Sequence, residues 1–295
     1  MKLDTKNLFL FLGPAVFLIV SVFLYPVCRT TVMSLFDVKS VVAPMSEWRF
    51  VGVSNFVSLA RTSVFLRSMA NITKLWIYGG LATIFFALIF AVAFTTNLKG
   101  KKFFRAIIYL PNVIAAIAVG YMWLLYIYNS KFGFMASIGR MLHWSALERF
   151  SWLDNQHIFL SMLIAFVYGN IGYFMLIFIA GIERIPSDFY EAARIEGANV
   201  FSQFAKITLP LIKGVFSTAL VLWTTRTMGF FALSQVFQSV RTYTPMLFVY
   251  ETLFGTEVTQ GGVHAGLAAS SAVTMTIIVV VVSSLLSKIV KEETV

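Results

Sequence analysis

The chain has 295 residues, of which 59% are hydrophobic and 12% charged, with a mean hydropathy of +0.83 and a formal net charge of +10. Soluble domains carry roughly 25% charged residues, so lipid must solvate much of this chain. The positive charge is assigned to Lys and Arg in loops that stay in the cytoplasm, not to a nucleic-acid surface, and no nucleic-acid partner is expected.

In chain order, six stretches are apolar over the ~20 residues a membrane-crossing helix needs. They are 8–27, 75–95, 106–128, 158–182, 211–233 and 265–286. The first is longer than the 7–15 apolar residues typical of a cleavable leader, and no A-x-A site follows it. It is therefore read as a retained helix, with Pro14 and Pro26 near its ends. Cys28 is the single cysteine, which excludes an intrachain disulfide and a thiol metal cluster. It reads as a small apolar residue. Residues 29–74 and 128–157 are too polar to span and too aromatic for plain linkers. Both are expected to be partly ordered outer loops. No internal repeat or low-complexity tract stands out, so 1–295 is read as a single membrane domain.

Lys99, Lys101, Lys102 and Arg105 place four positive charges in seven residues between the second and third stretches. Lys2, Lys6, Lys288 and Lys291 flank the ends. The outer loops hold a similar number of cations spread over about twice the length. This density predicts cytoplasmic N- and C-termini.

The loop 183–210 between the fourth and fifth stretches carries the most information. Ser187 is a candidate helix cap, and Asp188 and Glu191 suit the first-turn dipole. Ala192 through Glu196 continue the helix, and Gly197 is a natural stop. A second short helix is expected from about Val200 to Ile207, with Pro210 opening the fifth membrane helix. Two alanines leave a shallow face that another protein could approach closely, although a solvated helical linker would read the same way.

Glu191-Ala192-Ala193, Gly197 after three residues, Ile207 after nine more, and then Leu209-Pro210 resemble the EAA signature of ABC importer permeases. The fuller run from Tyr190 through Asn199, with Phe204 and Ile207 to Pro210, is similar to the sugar-permease branch, which includes the maltose and glycerol-phosphate permeases. Leu12-Gly13-Pro14, Tyr25-Pro26, Phe50-Val51-Gly52, Asn55-Phe56, Arg105 through Pro111, and Gly266 through Ser270 extend the resemblance over most of the chain. Two positions depart from it: Glu196 stands where the branch usually has Asp, and Lys213-Gly214 stand where it often has a second Pro.

The resemblance implies an all-α integral membrane protein, a bundle of six transmembrane helices with a cytoplasmic coupling helix. It implies a multi-pass protein of the prokaryotic plasma (inner) membrane that translocates a sugar or sugar-like solute. The loop would dock on a separate ATPase subunit through Tyr190, Glu191, Ala192, Ala193, Arg194, Glu196, Gly197, Ile207, Leu209 and Pro210. Glu191 would face a basic residue there, and Gly197 would supply the turn. The implied partners are an ATPase dimer, a second permease of different sequence, and an extracytoplasmic solute-binding protein.

No G-x-x-x-x-G-K-[ST] phosphate loop occurs, so ATP and Mg would be bound by the partner ATPase, and no cofactor or enzymatic role is assigned to this chain. His143, His157 and His264 are scattered and read as loop or interface residues rather than ligands. Arg226 is a charge set deep in the fifth stretch, where charge is costly and usually faces the bundle interior or water. It is placed to bind an anionic or hydroxyl-rich substrate or to pair with a partner subunit. Lys213, nearer the end, can snorkel. By the resemblance, Thr227, Gly229, Phe231 and Gln235 are substrate-pathway candidates, with Tyr121, Tyr126, Tyr168 and Asn170 as weaker ones. The alternatives are a self-contained secondary transporter or a membrane scaffold. The first would need acidic residues in its spans to carry coupling ions, and the second leaves the EAA match unexplained.

Overall fold

The computed structural model describes residues 5–96, 98–255 and 263–290. Lys2 and Lys291, two of the flanking charges, lie outside them. Among the described residues four helices are long and apolar enough to cross a membrane: Leu10–Met33, Ser63–Thr95, Ile158–Ile182 and Ala265–Lys288. Two bent pairs, Lys101–Asn112 with Ala116–Ile127 and Val200–Leu211 with Lys213–Phe237, bring the number to six if each pair is one span. Among the described residues the strands are one antiparallel pair, with Phe36 opposite Phe50 and Asp37 opposite Arg49. The expected all-helical membrane fold is therefore present, with corrections in detail.

The third span, expected over 106–128, is bent by 97°. Its first limb starts at Lys101 and tightens into a 3-10 turn at Leu110–Asn112, around the proline that has no N–H to give. Ala115 is extended (ψ 130°) before the second limb begins. The fifth span, expected over 211–233 with Pro210 as its opener, starts earlier. The helix over Val200–Leu211 includes Pro210, and a wide π turn at Phe204–Thr208 makes room for the ring just before it. A 72° bend at Ile212 follows, and Gly229 to Phe231 interrupt the second limb. Residues 63–74, read as loop, are the first three turns of the second span, which runs unbroken to Thr95.

The described residues group into two compact units. In the unit made of Met1–Leu66 and Phe248–Ile277, the first helix buries none of its most apolar window within the chain, so lipid or another chain must cover it. The core of this unit is Met33, Val38, Ala265 and Ala269, with Phe36 and Trp48 packed on it. Gly266 starts the last helix against the strand. A Cβ there would sit 2.2 Å from the carbonyl oxygen of Phe36, and Gly266 N donates to Val38 O at 3.0 Å. The amide of Asn55 closes the corner by donating to Ser34 O and Phe36 O, both at 2.9 Å. Each such bond contributes about 0.5–1.5 kcal/mol net. Asn55→Ala is therefore expected to cost roughly 1–3 kcal/mol and to lower the melting temperature of the purified protein in a thermal-shift series. An unchanged midpoint would show that the corner carries no such load.

The second unit, Arg67–Leu247 with Ile278–Val295, is built on the packing of the second and fourth spans. Trp223 joins the fifth span to this pair: its Nε1 donates to Trp76 O at 2.9 Å, and Trp76 Nε1 donates to Thr224 Oγ1 at 3.0 Å. Gly80 leaves the space that this indole fills, since a Cβ would lie 2.6 Å from its nitrogen. Asp154 accepts the backbone N–H groups of His157 and Gln156 just before the fourth span begins. The His157 bond is the main reason its carboxyl sits below the usual carboxylate range.

Candidate functional site

The loop helix forms as Ser187–Ile195. The expected cap is displaced by one residue: Pro186 precedes the helix in an extended conformation (ψ 138°), and Ser187 is already helical. Proline serves because the first N–H groups of a helix lack intrahelical partners anyway. At the other end Gly197 has φ +77°, Gly197 N donates to Arg194 O at 3.0 Å, and Ala198 N donates to Ala193 O at 2.8 Å. These are the two bonds of a Schellman stop, and they set the chain direction after the helix. Asn199 then caps the next helix through Oδ1, which accepts from Ser202 N at 2.8 Å. The sequence reading did not use this cap, although an Asn two residues after a helix-stopping glycine is a legible signal.

Side chains tie the loop to the membrane helices. Tyr190 Oη and Thr208 Oγ1 share a hydrogen bond at 2.9 Å. Arg105 donates to Phe94 O at 2.7 Å and pairs with Glu183 at 3.0 Å. The cationic cluster between the second and third spans therefore touches the base of the loop between the fourth and fifth. Glu191, Ala192, Arg194, Glu196 and Gly197 are exposed, Ala193 is half-buried, and Phe189, Ile195, Val200 and Phe201 expose large apolar groups nearby. Ile207 is half-buried, while Leu209 and Pro210 are exposed. The result is an acidic and apolar projection with a rigid backbone.

A second feature is a cavity of about 420 Å³ between the broken third span, the fourth span and the interruption of the fifth. Its lining includes Asn170, Arg226, Gly229 and Phe231 from the pathway candidates. Arg226 Nε donates to Asn170 Oδ1 at 3.1 Å, and its guanidinium lies 4.3 Å from the ring centroid of Tyr173. Asn170 Nδ2 donates to Phe166 O at 2.8 Å. The broken backbone is satisfied as membrane depth demands: Thr244 Oγ1 donates to Phe230 O at 3.0 Å, and Ser234 Oγ donates to Thr242 O at 2.7 Å.

The other candidates lie elsewhere. Thr227 is fully buried, and Gln235 is half-buried outside the lining. Tyr121 and Tyr126 are exposed, and Tyr168 makes an edge contact with Trp123 at 5.4 Å. The sequence reading missed Tyr173 and Asn112. The spacing of Asn170 and Tyr173, one turn apart on a helix, was the available signal for the first. No group of three or more His, Cys, Asp or Glu residues that could hold a metal occurs among the described residues.

Residues 83–292 match the family described as binding-protein-dependent transport system inner membrane component. The chain belongs to that family. It is thus an inner-membrane component of a transport system that works with a binding protein and other subunits. Relatives include NgcF of Streptomyces coelicolor, a diacetylchitobiose uptake system permease, which is 31% identical over 60% of this chain and 55% of its own length. The probable ABC transporter permease YurN of Bacillus subtilis is 30% identical over 72% of each chain. Among solved structures, a chain of a bacterial ABC transporter that imports the acidic polysaccharide alginate superposes with a TM-score of 0.79 over 98% of this chain and 96% of that one. Their identity is 19%, so this likeness concerns the fold.

Proposed function

We propose that this chain is a permease subunit of an ATP-binding-cassette importer for a sugar or sugar-like solute. The helix Ser187–Ile195 is the coupling helix that takes up the motion of a separate ATPase dimer, which binds the ATP and Mg. A second permease of different sequence completes the pathway, and an extracytoplasmic binding protein delivers the solute. The N- and C-termini and the coupling loop are cytoplasmic. The observation that carries this reading is the exposed EAA helix itself. It ends in a Schellman stop and is joined to the membrane helices through Tyr190–Thr208 and Arg105–Glu183, so a push on it is passed on rather than absorbed. The name of the diacetylchitobiose uptake permease among the relatives supports the solute class.

Two measurements test it. Affinity-tagged permease, expressed with its neighbouring subunits, is expected to retain an ATPase and to import sugar only with ATP. In a background where the exposed Cys28 is replaced by Ser, a cysteine at Glu196 is expected to resist impermeant thiol reagents added outside whole cells, while a cysteine at Ser145 reacts. Reversed labelling would overturn the orientation, and a permease that imports without any ATPase would favour the secondary-transporter alternative.

A further inference from the structure

We infer that the cavity around Arg226 binds an anionic group, so that the solute is an acidic or phosphorylated saccharide rather than a neutral one. The inference rests on the permease reading above and deepens it. Arg226 projects from an apolar helix, where an uncompensated charge is costly and is retained for a purpose. No carboxylate among the described residues pairs with it, and no acidic side chain lines the cavity. The fourth span holds its guanidinium by two groups one turn apart, Asn170 at Nε and Tyr173 against the flat face. Both contacts leave the two Nη groups available, and an oriented guanidinium fork matches a carboxylate or phosphate in two-point geometry.

The remaining polar lining points the same way. The side chain of Asn170 is occupied at both ends, by Phe166 O and by Arg226. Asn112 also lines the cavity, and its Nδ2 is buried without a hydrogen-bond partner. A neutral sugar offers hydroxyls that donate as well as accept, and a cavity built for it would pair them with acceptors as well as donors. This one presents the Arg226 guanidinium, with no acidic side chain beside it.

The experiment measures retention of radiolabelled probes on the purified importer complex in nanodiscs: a uronate trisaccharide and glycerol 3-phosphate as anions, and a glucose trisaccharide as the neutral control. The complex is expected to retain at least one anionic probe over the neutral one. Arg226→Gln should weaken that retention about tenfold or more, the loss of one charge-assisted contact, and Arg226→Lys should keep more of it. Co-purification of the second permease and the ATPase is followed in every variant. Preference for the neutral probe, or anion binding unchanged in Arg226→Gln, overturns the inference while the permease reading stands. Loss of the second permease in Arg226→Gln would assign Arg226 to subunit pairing and overturn it as well. A wild-type complex that holds no ATPase and binds none of the probes defeats the permease reading together with the inference.

Discussion

Gly172→Leu is expected to abolish transport and to remove most of the protein from the membrane fraction, and Gly172→Ala to reduce both. At Gly172 the fourth span presses directly on the backbone of the first limb of the broken third span. A Cβ built there would sit 2.3 Å from Ile108 O and 2.7 Å from Tyr109 Cα. The obstacle is main chain, which cannot rotate away as a side chain could. Extra methylenes forced into a packed interior cost about 1–3 kcal/mol when neighbours can adjust, and more when they cannot. Small residues at helix crossings serve this close approach in membranes, where water supplies no driving force between helices. Gly169 is the control: it lies one turn earlier on the same helix, and a Cβ there meets nothing within 4 Å. Gly169→Ala is therefore expected to accumulate normally. Quantitative immunoblots of membranes decide the matter; equal amounts of Gly172→Leu and Gly169→Ala protein would show that the crossing is looser than its geometry indicates.

This crossing also shows where the sequence is legible. The fourth span was readable to the residue, because its apolar run is bounded by Asp154 and His157 on one side and Glu183 on the other. The last helix was readable at its start for a similar reason. The bends were not. Residues 113–115, where the third span turns by 97°, are apolar, as are most residues from Ala106 to Ile127 around them, so hydropathy carries little trace of the turn. Pro111 was the one local signal, and proline alone does not separate a kink from a near right angle. At the fifth span Pro210 pointed to a helix start, but the π turn before it let the helix begin at Val200. Polar residues in apolar runs, Arg226 and Asn170, were visible as site candidates because lipid makes them expensive. Their union was not, since 56 residues separate them and the contact depends on how two spans face each other. The EAA helix was the most legible part, because its signals are local: first-turn acids, two alanines and a glycine stop.

Gly197→Val and Glu191→Lys are expected to uncouple the importer by different routes while the permease still reaches the membrane. Gly197 has φ +77° and donates one of the two bonds of the helix stop, and a Cβ on it would meet no atom within 4 Å. Any cost of substitution within the chain is thus conformational rather than steric crowding. Holding a non-glycine residue in the left-handed region costs about 1–3 kcal/mol, with β-branched residues at the high end and asparagine at the low end. Gly197→Asn should therefore retain most activity. Gly197→Val should lose the stop, rotate Asn199 away from its capping position and disorder the link between Tyr190 and Thr208. The exposed carboxylate of Glu191 makes no ion pair within the chain among the described residues, and reversing its charge should repel a basic site on the ATPase. The readouts are ATPase retained per tagged permease and solute-stimulated ATP hydrolysis. A fall in both for Val and Lys, with recovery in Asn, fits a rigid coupling helix. ATPase binding and stimulation left intact by both Gly197→Val and Glu191→Lys would make this segment a solvated linker and move the ATPase contact elsewhere on the chain.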